Sequence, residues 1–236
     1  VPMSVEFFSS LLPDSGFYCI ALLNEQGFFK HRWFNDKAKA YAYALEMDKQ
    51  GETVYFAQGG FAENTNRKAD NATHFRTFWL DIDCGPEKPF ATQADGIKAL
   101  KLFCDETGLP IPTVVNSGTG WYTYWRIDED IESQAWFKTA KVLKGLCEAL
   151  HFDVDPARTS DRSSVLRPVG ATNRKRGDRT VQAAAVVPAI TFREFAEPLL
   201  AAAKKFKVET KSFDAPQPML NAEFALEMGS EKPSAH

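Results

Sequence analysis

Two aspartates, Asp81 and Asp83, interrupt the apolar run Phe78-Trp79-Leu80-Asp81-Ile82-Asp83-Cys84-Gly85. Side chains alternate across a β-strand, so both carboxylates project from one face while Leu80 and Ile82 take the other. Acids at that spacing repel each other, and burying them unpaired is costly, so a bound cation is their natural partner. The competing interpretation is a strand end whose aspartates cap turns toward Gly85-Pro86.

A second constellation is Ser117-Gly118-Thr119-Gly120-Trp121-Tyr122-Thr123-Tyr124-Trp125. Its glycines allow close backbone approach to a ligand, and its N–H groups and hydroxyls can form an anion-binding concavity. A plain β-hairpin would carry the same turn. The third constellation runs from His151 through Asp153, Asp155, Arg158, Asp161 and Arg162 to Leu166-Arg167 and Thr172-Asn173-Arg174-Lys175. From Arg158 to Arg179 there are seven basic residues against two acids, in a chain whose net charge is −3. That contrast suggests a local anion site, since arginine makes forked contacts to phosphate and lysine adds a point charge. A solvated basic loop would show the same composition.

The elements that must position these groups can be read from periodicity. The pattern predicts a helix over 5–12, a hairpin of 17–23 with 28–34, a helix over 36–48 and a strand over 53–58 that Gly59-Gly60 ends. Residues 61–72 are polar and aperiodic, which predicts a mobile loop. After the Asp81 strand come a helix over 92–107, strands over 113–116 and 121–126, and a helix over 131–150. In that helix Trp136, Ala140, Leu143, Cys147 and Leu150 form a core-facing stripe. Strands over 165–166 and 181–187 precede a helix opened by the capping box Thr191 to Glu194, which Pro198 should kink or restart. The chain beyond 207 reads as a linker with a short helical piece over 221–228.

Composition is that of a globular protein, 44% hydrophobic and 25% charged over 236 residues. No apolar run approaches a membrane span and no signal-peptide pattern opens the chain. The four cysteines show no C-x-x-C and no zinc spacing with histidine, which predicts reduced core thiols and a cytoplasmic setting.

Taken in order, the three constellations resemble the archaeo-eukaryotic primase superfamily. Within it the likeness is to the primase-polymerase domains of phage and plasmid replication proteins, which are often fused to a helicase. The family pattern is an Asp-x-Asp strand, a Ser-Gly-x-Gly-x-His-x-Tyr-Trp hairpin, then an acid followed by Leu-Arg and Thr-Asn-x-Lys. Here it falls on Asp81/Asp83, on Ser117 to Trp125, and on Asp155 through Leu166-Arg167 to Lys175, spanning residues 67–175. The resemblance implies an α+β (mixed α/β) fold, with an RNA-recognition-like antiparallel catalytic sheet and a smaller N-terminal α/β part. It implies a catalytic domain over 1–207 and a linker over 208–236 toward a downstream domain.

The implied function is template-directed synthesis and extension of DNA or RNA primers from NTP or dNTP, in replication of a mobile element. Asp81, Asp83 and Asp155 would be catalytic and hold two Mg²⁺ or Mn²⁺ ions, with Asp153 and Asp161 as alternatives for the third acid. Ser117, Gly118, Gly120, Tyr122, Arg162, Arg167, Asn173 and Lys175 would cradle the triphosphate. Single-stranded DNA would be the template, contacted by Asn66, Arg67 and Lys68, and a fused or associated helicase would be a partner. Two departures stand out: the family histidine is Tyr122 here, and the usual Pro-Gly-Thr is replaced by Pro168-Val169-Gly170-Ala171-Thr172. The first favours a second reading, a catalytically silent module that binds single-stranded or origin DNA. A rolling-circle nicking initiator would need a His-hydrophobe-His pair, which the sequence lacks.

Overall fold

The structure, a computed structural model, describes residues 5–210. The expected linker from 211 onward and the helical piece over 221–228 lie outside the described residues. The N-terminal part comprises α1 (Val5–Ser10), β1 (Tyr18–Leu23), β2 (Phe29–Phe34), α2 (Lys37–Lys49) and β3 (Thr53–Ala57). With β8 (Val165–Leu166), which arrives from much later in the chain, the strands form an antiparallel sheet in the order β2-β1-β3-β8. One of its faces, carrying Ile20 and Phe56, is closed by α1 and α2, where Phe8 stacks on Tyr41 and meets Phe56, both at 5.0 Å. Asp36 starts α2 by accepting from the backbone of Lys39, as expected for an N-cap aspartate.

The second sheet holds β4 (Gly59–Phe61), β5 (Ala72–Asp83), β6 (Thr113–Asn116), β7 (Gly120–Glu132) and β11 (Gln182–Ala185), while β9 (Thr172–Asn173) and β10 (Arg179–Thr180) pair separately. Its order is β11-β6-β7-β5-β4, with every pairing antiparallel. The central pair β5–β7 puts Trp79 opposite Tyr124, Asp81 opposite Tyr122 and Asp83 opposite Gly120. One face, with Phe78, Leu80 and Ile82, packs on α3 (Gln93–Thr107), α4 (Ser133–Ala149) and α6 (Phe192–Lys205). Its centre is an aromatic stack in which Phe78 lies 4.3 Å from Phe195 and Trp136 lies 4.7 Å from Trp79. The mixed α/β class with an antiparallel central sheet is as the sequence implies.

Several local expectations change. β3 stops at Ala57, just before Gly59 and Gly60, but the two glycines then form most of a new strand, β4, because residues without side chains can lie against Phe75 and Ser15. Residues 62–71 are not structureless: Asn71 ties them together, donating to the carbonyls of Glu63 and Asn66 while accepting from the Glu63 backbone. β7 continues to Glu132, six residues beyond the expected end, and delays the start of α4 to Ser133. Pro198 neither breaks nor restarts α6, which runs unbroken from Phe192 to Lys205. An interior proline costs about 3 kcal/mol. Burial of Phe195, Ala196, Leu199, Leu200 and Ala203 on both sides of it offsets that cost.

Candidate active site

The strand pair β5–β7 aims Asp81 and Asp83 away from the helices α3 and α6, into a cleft of about 70 Å³ beside the four-stranded sheet. Two glycines make the turn into β7 possible. Gly118 has φ +92°, which side chains other than glycine rarely adopt, and a Cβ on Gly120 would stand 2.2 Å from the Ile82 carbonyl oxygen. The Ser117 hydroxyl accepts from the Gly120 N–H at 3.1 Å, and the Asn116 carboxamide accepts from the Gly118 N–H at 2.8 Å. The glycine turn is thus fixed at the mouth of the cleft, which Ser117 and Thr119 line.

The carboxylates are unequal. Asp81 retains 14% side-chain exposure and Asp83 45%. Burial raises the Asp81 carboxyl from 3.8 to about 7; Arg158 opposes the shift, while Asp83 and Asp155 reinforce it. Two cations compensate the acids. Arg158 Nε bridges Asp81 at 3.2 Å and Asp155 at 3.0 Å, and Lys88 pairs with Asp83 at 2.8 Å.

The opposite wall carries positive charge. Arg167, only 5% exposed, donates to the Tyr55 hydroxyl at 2.6 Å and contacts the Tyr122 hydroxyl at 3.4 Å. Its Nε has no hydrogen-bond partner among the described residues. Asn173 donates to the Ser117 carbonyl at 2.6 Å and accepts from the Lys175 backbone, which brings Lys175 to the cleft. Burial, with Arg167 and Arg158 nearby, lowers the Lys175 ammonium pKa. In the same segment Arg174 turns away to pair with the buried Asp48 at 2.7 Å, which anchors this loop to α2. Burial and the Asp81 charge hold the Tyr122 hydroxyl protonated well beyond its ordinary range.

Of the residues singled out from the sequence, Asp81, Asp83, Ser117, Tyr122, Arg167, Asn173 and Lys175 line one cleft. Arg162 does not; its guanidinium lies 4.9 Å over the Phe137 ring and its Nη1 reaches Ser133. The expected three-acid set is not assembled either. Among the described residues no three acidic, histidine or cysteine side chains stand close enough to hold one ion. Asp155 caps α5 (Pro156–Thr159) and pairs with Arg158, touching the Asp81 strand through its backbone N–H at 3.0 Å. Asp153 lies in a separate depression with His151 and Pro89, and Asp161 is held by Ser163. Asn66 bonds within its own loop, and Arg67 lies over Phe29 of the four-stranded sheet.

Sequence reasoning missed Tyr55, Lys88, Arg158 and Arg176 as cleft residues. Arg158 had one available signal, its position three residues after Asp155 on a short helix. Two carboxylates facing a cleft suit a hard divalent cation, which completes its oxygen shell with phosphate and water. Burial of Asp81 acts in the same sense, because it raises the carboxyl pKa and leaves that acid poorly neutralised by the protein alone.

No family model matches the chain, and no curated protein matches it in sequence. Solved structures do match in fold. The AEP domain of the cyanophage S-2L primase-polymerase aligns with a TM-score of 0.58 and 16% identity, covering 84% of this chain and 95% of that one. The catalytic domain of the primase RepB′, solved in complex with initiator DNA, aligns with a TM-score of 0.55 and 15% identity, covering 85% of this chain and 91% of that one. A further RepB′ primase structure aligns at 0.55 and 15%, covering 86% of this chain and 63% of that one. This chain has the fold of the AEP primase-polymerases.

Proposed function

We propose that this chain is a nucleotidyltransferase that makes or extends primers on a single-stranded DNA template, with Mg²⁺ or Mn²⁺ held by Asp81 and Asp83. The observation that carries this reading is charge separation across one cleft: a same-face acid pair against a buried, incompletely partnered guanidinium. The fold shared with primase-polymerases and the initiator DNA bound by RepB′ support it. When bound, the metal would supply Lewis-acid activation of a 3′-hydroxyl and charge neutralisation at the triphosphate. Arg167 and Lys175 bind the phosphate oxygens, and the Ser117–Gly120 turn fixes their position. Arg158 limits repulsion between Asp81 and Asp155 and keeps them oriented. Replication of a mobile element and a helicase partner belong to the same reading. Primer-extension and de novo priming assays with each metal and both nucleotide sets test it; complete inactivity in all of them would overturn it.

Tyr122 favours the second reading, a silent DNA-binding module, because a neutral phenol stands where the resemblance expects histidine. The Tyr122→His variant separates the two. Imidazole can donate to phosphate, and its smaller size releases the Arg167 nitrogen that now contacts the phenol. An active enzyme should keep or improve its kcat/KM, by about fivefold for about 1 kcal/mol, chiefly through KM. A sharp fall in activity would give Tyr122 a role of its own, such as stacking or sugar discrimination. Inactivity of both forms with either metal would favour the silent module.

A further inference from the structure

The face of the four-stranded sheet opposite α1 and α2 carries a row of half-buried aromatic side chains. Register places Tyr55, Ala21 and His31 side by side across β3, β1 and β2, and Phe29 and Trp33 flank His31 on the same face. Phe29 and His31 lie nearly parallel with centroids 6.4 Å apart, and His31 meets Trp33 at 6.2 Å. Phe29 contacts the edge of Tyr55 at 5.7 Å, and Tyr55 lies under the Arg167 guanidinium at 4.6 Å. Along the row, Arg67 covers Phe29 at 5.3 Å and places its Nε 3.4 Å from His31 Nε2. The row is therefore continuous with the cleft and carries one guanidinium over Tyr55 and a second over Phe29.

Two features require explanation beyond packing. Phe29, His31 and Trp33 keep part of their surface open on an edge strand, where core aromatics would be covered. Burial and the adjacent Arg67 lower the His31 pKa, so its ring is a neutral, stackable surface. Neutral rings beside fixed guanidinium groups match a chain of bases on a phosphate backbone, since stacking tolerates any base and arginine follows the charge.

We propose that Phe29, His31 and Trp33, with Arg67, form a stacking wall that holds bases of single-stranded DNA leading into the cleft. This rests on the template-directed reading above and adds which surface the strand follows. The ligand class is single-stranded nucleic acid, selected by charge complementarity and by continuity of the row with Tyr55 and Arg167.

The test uses the whole chain in EDTA without nucleotide, so catalysis plays no part. Fluorescence anisotropy of labelled oligo(dT) should show His31→Ala binding about fivefold or more weakly than wild type. Arg67→Ala should weaken binding and reduce the salt slope by about one. Phe28→Ala, an exposed ring outside the row, should bind as wild type. Because Trp33 also meets Phe61, a second readout avoids truncating it: 5-iododeoxyuridine oligonucleotides should photo-cross-link to Phe29, His31 or Trp33 in the wild-type protein. Cross-links elsewhere together with unchanged His31→Ala affinity would overturn the wall. Loss of self-association in place of DNA binding would assign the face to a second copy and also overturn it. If wild type binds no single-stranded DNA at all, the templated reading itself fails, whereas normal binding insensitive to these variants removes only the wall.

Discussion

Asp81→Asn is expected to abolish nucleotide transfer while leaving the fold as stable as wild type or more so. Asparagine keeps the shape and one acceptor for Arg158, but removes the charge that would hold a divalent cation. Losing several kcal/mol of transition-state charge stabilisation corresponds to a rate loss of roughly a thousandfold or more. Stability should move the other way. The folded-state carboxyl titrates at about 7 against 3.8 as its ordinary value, so the native state holds a proton that the unfolded chain has released. The apoprotein therefore loses stability as pH rises from about 4 to about 7, on the order of a few kcal/mol at most. Asp81→Asn should remove that decline and melt higher than wild type at pH 8 in EDTA. Mn²⁺ should raise the wild-type Tm at that pH and leave the variant unmoved. Asp83→Asn should lose activity equally with little change in Tm, because Asp83 is partly exposed and its ion pair is with the exposed Lys88. Near-normal polymerase activity in either variant would falsify the assignment of the acid pair.

What the sequence revealed about this site follows from locality. Alternation alone puts Asp81 and Asp83 on one face, and β5 obeys it because Phe78, Leu80 and Ile82 must enter the core. The turn at Ser117–Gly120 and the capping boxes at Thr92 and Thr191 are short-range devices of the same kind. What was hidden depends on partners distant in the chain. Tyr55 becomes a cleft residue only because β8 crosses from residue 165 to pair with β3 and delivers Arg167 to its ring. Arg162 and Arg167 look alike in a basic segment, yet two residues of β8 between them send one to Phe137 and the other into the cleft. Gly59-Gly60 resembles a strand terminator until Phe75 supplies the surface against which only glycine fits. The motif marks Asp155 by its place in the sequence alone, and only the folded chain shows it capping α5 and pairing with Arg158 beside Asp81.

Arg167→Met is expected to weaken binding of a non-hydrolysable nucleoside triphosphate about tenfold or more, without a matching loss of fold stability. Arg167 is a buried cation whose terminal nitrogens reach tyrosine hydroxyls, and whose Nε has no partner among the described residues. Such an arrangement is unfavourable in the free protein, because desolvating a charge without a counter-ion costs more than two neutral hydrogen bonds return. It becomes favourable when an anion arrives, and a charge-assisted phosphate contact contributes about 1.5–3 kcal/mol. Methionine fills most of the volume and keeps contact with the Tyr55 ring, so the cavity cost stays small, although the Tyr55 hydroxyl loses its donor. The two effects on stability oppose each other, and the Tm of the free protein should move by only a few degrees. The triphosphate-induced rise in Tm should shrink markedly, since that rise reports affinity for the native state. Calorimetric titration of both proteins, alongside melting with and without ligand, gives the two readouts. A lower Tm with unchanged triphosphate affinity would make Arg167 a structural bolt between the two sheets, and the phosphate site would then have to be sought at Lys175 and Arg176, which also line the cleft.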